Sequence, residues 1–248
     1  MNWEELIAFA LVAGSAVLML AFALLRRKSP PVFREIPAFT RLRQAIGRAV
    51  EAGSRLHISL GRGSLTTPQG AAGLAGLGAL RRLADQTSTS DMTPIATSGD
   101  GSLAILSQDV LQASYREATS GGQFDASGAR LAGLTPFSYA AGTLTVTRDE
   151  HVSANILIGS FGVEAALIAD ASDREDSFTL TASDQVTAQA VLFSSGQDTL
   201  IGEELYAVGA YEKGSPMHAA SLSTQDVLRW VLVLSLILGV ILKLAGLL

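Results

Sequence analysis

Two long apolar runs, one near each end, constrain this chain more than anything between them. Leu6 to Leu25 is an uncharged run of 20 residues, and Trp230 to Leu248 is a second, broken only by Lys243. A helix needs about 20 apolar residues to cross the hydrocarbon core of a bilayer. Neither run has a polar face, which argues against a helix half-buried on a soluble core. Lys243, near the far end of its run, can reach the interface on its flexible stem. The expectation is a pair of membrane spans bracketing a soluble domain, with a linker over 214–229 that includes Gly214-Ser215-Pro216.

Flanking charge predicts the orientation. A secretory signal starts basic, whereas this chain starts Asn2-Trp3-Glu4-Glu5 and places Arg26-Arg27-Lys28 after the apolar run. Lysine and arginine beside a span mark the cytoplasmic side. The N-terminus is therefore expected outside and the soluble domain in the cytoplasm. Arg229, before the second span, agrees, and the C-terminus returns outside. The expected location is the inner (cytoplasmic) membrane. There is no cysteine, which excludes disulfides and thiolate metal sites.

Residues 26–62 carry nine Lys/Arg against two acidic residues, whereas 83–226 carry five against nineteen. A basic stretch beside a bilayer is attracted to anionic headgroups. The acidic remainder repels nucleic acid, so no nucleic-acid partner is expected. After Pro30-Pro31, the segment 37–52 places Phe39, Leu42, Ile46 and Val50 on one helical face with Arg41, Arg43 and Arg48 between them. That pattern suits a basic helix lying on the membrane or an ordinary helix packed on the domain.

Short apolar runs and helical patterns alternate over 53–213. Strands are expected at 56–60, 94–97, 130–134, 155–158, 178–181 and 199–201. Helices are expected near 68–84, 102–118, 136–149, 162–174, 186–195 and 204–213. Strict alternation implies a Rossmann-like, mostly parallel sheet of about six strands with helices on both faces. Thr67-Pro68 and Thr135-Pro136 read as N-caps followed by proline at the first helical position. The second makes 136–149 helical although Thr143–Thr147 alternates like a strand. The glycines at 70, 73, 76 and 78 weaken the first helix unless they let it approach the sheet.

In a parallel sheet, ligands bind outside the carboxyl ends of the strands. Those ends are polar and glycine-rich here: Gly61-Arg62-Gly63-Ser64, Gly99-Asp100-Gly101-Ser102, Thr135, Gly159-Ser160-Phe161-Gly162, Asp184 and Gly202-Glu203-Glu204. Together they form the expected ligand-binding rim. Gly99 to Ala104 fits the GxGxxA form of the dinucleotide fingerprint, but Asp100 would repel a pyrophosphate, which makes a capped turn the better reading. Arg62 is the sole basic side chain of the rim and suits an anion. Asp100, Asp184, Glu203 and Glu204 suit either a cation cluster or helix-cap and dipole roles. No phosphate loop, serine-nucleophile elbow or zinc-protease helix occurs. His57 and His151 fall at strand starts, away from the rim, and His218 lies before the second span. No catalytic or metal-binding residue is assigned, and no cofactor is identified.

The stretches "ANILIGSFGVEAALIAD" (154–170) and "LIGEELYAVGAY" (200–211), framed by terminal spans, resemble an uncharacterised prokaryotic family of membrane-anchored domains of unknown function. The resemblance implies a membrane protein whose cytoplasmic part is a recurring unit, and it carries no activity or site residue with it. The expected role is a membrane-tethered module that binds a small ligand or a protein partner at the strand-end rim. A membrane-associated enzyme using rim carboxylates is one alternative. The other is an assembly subunit or homo-oligomer whose spans, with Gly14-Ser15-Ala16 and Gly239, pair with other helices.

Overall fold

A computed structural model describes residues 3–25, 33–88, 90, 92–119, 125–195, 198–211 and 216–246. Arg26-Arg27-Lys28, Pro30-Pro31 and Gly214-Ser215, used above for orientation and boundaries, lie outside the described residues. The chain divides into two compact units, Glu35–Val208 and a terminal unit of Met1–Arg34 with Gly209–Leu248.

The larger unit opens with α2 (Pro37–Ala52), numbered after α1 (Trp3–Leu25) of the terminal unit. There follow β1 (Arg55–Gly61), α3 (Gly70–Thr87), β2 (Ile95–Ser98), α4 (Gly101–Thr119), β3 (Ala129–Leu131) and α5 (Pro136–Asp149). The second half runs β4 (Val152–Ser160), α6 (Ala165–Arg174), β5 (Phe178–Ser183), α7 (Val186–Ser195), β6 (Asp198–Leu200) and α8 (Glu204–Tyr211). All six strands pair in parallel in the order β3-β2-β1-β4-β5-β6. The chain therefore builds outward from β1 on one side, returns through α5, and builds outward from β4 on the other. Parallel pairing places all six carboxyl ends on one edge, and the order reverses between β1 and β4.

Burial on both sheet faces explains the apolar strands, and β4 is covered along almost its whole length. Successive side chains of β1 point to opposite faces. Ser59 meets Tyr139 of α5 at 2.5 Å between hydroxyls, whereas Leu60 faces Gly76 of α3, where a Cβ would come within 2.8 Å of it. Helices thus cover both faces. Tyr139, Leu157, Phe161, Ile168 and Leu192 join in one buried cluster that ties α5, α6 and α7 to β4. The same Cβ at Gly76 would lie 2.3 Å from the Ile158 carbonyl, so that glycine does let α3 close on the sheet. Gly78 has open space around it and serves no such contact.

The face of α2 carrying Phe39, Leu42 and Ile46 is buried, and the helix packs on β1, β4, β5 and β6. Arg41 pairs with the buried Asp198 of β6. Of the two roles open to this helix, packing on the domain is the one adopted. Its apolar stripe is spent on the sheet and only its basic face remains outside.

A chain of buried polar groups crosses the sheet. His57 Nδ1 lies 2.6 Å from Asn155 Oδ1 and its Nε2 lies 2.8 Å from Thr97 Oγ1. Asn155 Nδ2 donates to Ser172 Oγ of α6, which donates to the Ile168 carbonyl at 3.0 Å. With the amide oxygen accepting, the ring carries its proton on Nδ1 and accepts from Thr97 on Nε2. Every member is satisfied, and desolvation pushes the His57 pKa down to about 4.

In the terminal unit α1 packs against α9 (Pro216–Leu244). Both are long and apolar enough to cross a membrane, and their large apolar side chains are exposed along their length. Residues 216–229, read from sequence as linker, are helical and continuous with the apolar run. Pro216 opens the helix where its missing N–H costs nothing, and no glycine or proline follows until Gly239. Phe33 stacks on Tyr211 at 5.4 Å, and the Tyr211 hydroxyl donates to the Arg34 carbonyl at 2.7 Å.

Candidate functional site: a cleft where the strand order reverses

The cleft grows from a backbone irregularity. Between β1 and β4 the register slips after Ser59, so that Gly61 stands opposite Ser160. Gly61 has φ +73°, and a Cβ there would lie 2.3 Å from the Ser160 carbonyl. Only glycine fits this left-handed position against a neighbouring backbone. Its N–H donates to the Tyr139 hydroxyl at 3.1 Å, and its carbonyl accepts from Gly99 N at 2.8 Å. Arg62 N then donates to the Ser160 carbonyl at 2.9 Å. Beyond this point the chains leaving β1 and β4 diverge.

The opening they leave is a cleft of about 410 Å³, within the usual size of small-ligand sites. Arg62, Gly63 and Ser64 line it from β1, and Ser160, Phe161 and Gly162 line it from β4. Thr67 and Gln69, before α3, and Gln185 and Thr187, at the start of α7, complete it. The first six belong to the expected rim. The last four are not strand-end residues, and nothing in the sequence aims them at the cleft. They arrive because the loop 63–69 folds back and because β5 lies beside β4.

Arg62 is held on one side by a carboxylate. Its Nε donates to Glu164 Oε1 at 3.0 Å, and Gly162 N donates to the same oxygen at 3.0 Å. Glu164 is 3% exposed, against 26% for Arg62. The arginine stem crosses Gly99, whose missing side chain makes the room. Glu164 was absent from the expected rim. A sequence signal existed, since an acidic residue two positions past a strand-end glycine can turn back on its own helix N-terminus.

The N–H groups ahead of α3 are also engaged, Gly70 N to the Thr67 carbonyl at 2.9 Å and Ala71 N to the Pro68 carbonyl at 3.3 Å. Thr67 is not the N-cap expected for it. Its hydroxyl donates back to the Ser64 carbonyl at 2.8 Å, and the helix begins at Gly70. The turn closed between Ser64 and Thr67 consumes the cap. Ser160 is 8% exposed and lines the cleft. Phe161 is 1% exposed and stacks, tilted, on Tyr139 at 6.4 Å, so its ring belongs to the core and its backbone to the cleft.

The other rim residues do local work. Asp100 Oδ1 accepts from Ser102 N at 3.0 Å and Leu103 N at 3.1 Å, capping α4 over Gly101. Thr135 and Ser138 form a capping box on α5. Glu204 accepts from Ile201 N at 3.2 Å across the turn at Gly202, and the Glu203 carbonyl accepts from Tyr206 N at 2.9 Å. Asp184 has one buried oxygen without a hydrogen bond among the described residues, and its charge helps raise the Tyr206 pKa after burial. The strand order parts Asp100 from the other acids, because β2 and β5 stand three strand spacings apart, about 14 Å. Among the described residues no three metal-ligating side chains converge.

A model of one protein family, described as a domain of unknown function (DUF6754), matches residues 1–247. Comparison with curated proteins and with solved structures gave no match.

Proposed function

The chain belongs to this family of domains of unknown function, and from that premise, which supplies no activity, we propose a membrane-tethered module that binds a small ligand in the β1/β4 cleft. Residues 35–208 form its cytoplasmic part, held by α1 and α9 as membrane spans. The observation that carries the reading is the position of the cleft. It lies where the order of a parallel sheet reverses, the place such folds use for ligands, and it is lined by hydroxyl and carboxamide side chains. The exposed apolar surfaces of α1 and α9 support the tether, since water penalises them and lipid does not.

Thermal denaturation of the full chain in detergent micelles, against a panel of metabolites, tests the reading. A true ligand at about 100 times its Kd adds about 2.7 kcal/mol and raises the melting temperature by several degrees. Thr187→Trp, which fills the mouth of the cleft from an exposed position, is expected to abolish that rise. A panel that shifts nothing, or a shift that survives Thr187→Trp, removes the proposal.

A further inference from the structure

Folds of this type usually receive phosphates at the turn after a strand, on free N–H groups and a nearby cation. The β1/β4 cleft has a cation and a backbone N–H of the kind such a seat uses, and Glu164, buried behind the lining, already engages both. We propose that Glu164 sets the ligand class of this cleft. Its carboxylate already engages donors an anionic group would use, so the site refuses phosphates and admits an uncharged, polyhydroxylated molecule. The inference rests on the cleft being the ligand site.

Three observations carry it. Arg62 is the only charged residue among the described residues lining the cleft, and its Nε is held by Glu164. The Gly162 N–H, the backbone donor of the β4 turn, points at the same carboxylate oxygen. The carboxylate is almost fully buried behind Arg62, so an arriving phosphate would meet a cation whose charge is already offset by a weakly screened negative one. The remaining polar lining consists of the hydroxyls of Ser64, Thr67, Ser160 and Thr187 and the amides of Gln69 and Gln185. Such groups donate and accept without net charge, which matches a polyol.

The test uses the full chain in detergent micelles and inorganic pyrophosphate as the probe, read by titration calorimetry. The wild-type protein is expected to show no binding. Glu164→Ala frees both Arg62 Nε and the Gly162 N–H and is expected to bind pyrophosphate with a Kd at least about tenfold below the weakest binding the titration detects. The double variant Arg62→Ala/Glu164→Ala is expected to lose that gain. Should Glu164→Ala fail to fold, Glu164→Gln keeps the shape, removes the charge, and is expected to show a smaller gain. Wild-type binding equal to that of the variants overturns the inference, and so do folded variants that gain nothing. Uncharged polyols that fail on wild type while the anion gain appears would instead take down the cleft as a natural ligand site and leave the exclusion of anions by Glu164 standing.

Discussion

Gly61 and His57 sit four positions apart on one strand and show two ways a single residue can be fixed by its surroundings. At Gly61 the backbone is left-handed and a neighbouring carbonyl fills the space a Cβ would take. Gly61→Ala is expected to cost more than about 2 kcal/mol, read from the denaturant midpoint. A loss below 1 kcal/mol, to about the value for an unstrained site, would mean that the bulge between β1 and β4 relaxes freely. At His57 burial holds the ring neutral, with Arg130 adding to the downward shift and the Asn155 hydrogen bond opposing it. The unfolded chain binds a proton below its ordinary pKa of 6.5, while the folded ring waits until about 4. Stability should therefore fall as pH drops through that window, by about 3 kcal/mol in full. In His57→Gln the slope of unfolding free energy against pH between 6.5 and 4 should flatten by up to one proton. An unchanged slope would assign the acid sensitivity to carboxylates instead.

Among the elements, helix starts separate what local sequence decides from what it does not. Thr135-Pro136 became the expected N-cap, with the reciprocal Ser138 bond, and it keeps α5 helical across a stretch that alternates like a strand. Thr67-Pro68 has the same two residues and no cap, because the loop after β1 closes on itself first. Asp100 caps α4. Asp100→Ala is expected to lower stability by about 1 kcal/mol while leaving ligand-induced stabilisation in the cleft unchanged. A lost ligand response at unchanged melting temperature would restore Asp100 to the site. The six strands and the helices between them were legible because each is a run of matching period bounded by glycine, proline or a capping residue. Strand ends differ from expectation by up to three residues; pairing with neighbours, for instance, extends β4 beyond its apolar centre at 155–158 to Val152–Ser160.

At the scale of the whole molecule, the proposed membrane insertion rests on the apolar helices and the proposed orientation on flanking charge, and both are open to direct test. The chain has no cysteine, so a single one reports cleanly. Asp170→Cys, at an exposed position of α6, should react with a membrane-impermeant maleimide only after the membrane is permeabilised. Labelling in intact cells would place residues 35–208 on the outer side and remove the cytoplasmic reading. Sequence by itself determined the apolar ends, the alternation of strand and helix, and the parallel sheet with glycine-rich turns on one edge. These are properties of period, length and punctuation, which are local. Strand order, the meeting of the β1 and β4 turns, and the arrival of Gln185 and Thr187 beside them were decided only by tertiary structure. So was the capture of Arg62 by Glu164, two residues 102 positions apart. Each depends on which distant strands become neighbours, and that choice is made by burying both faces of the sheet at once rather than by any one segment.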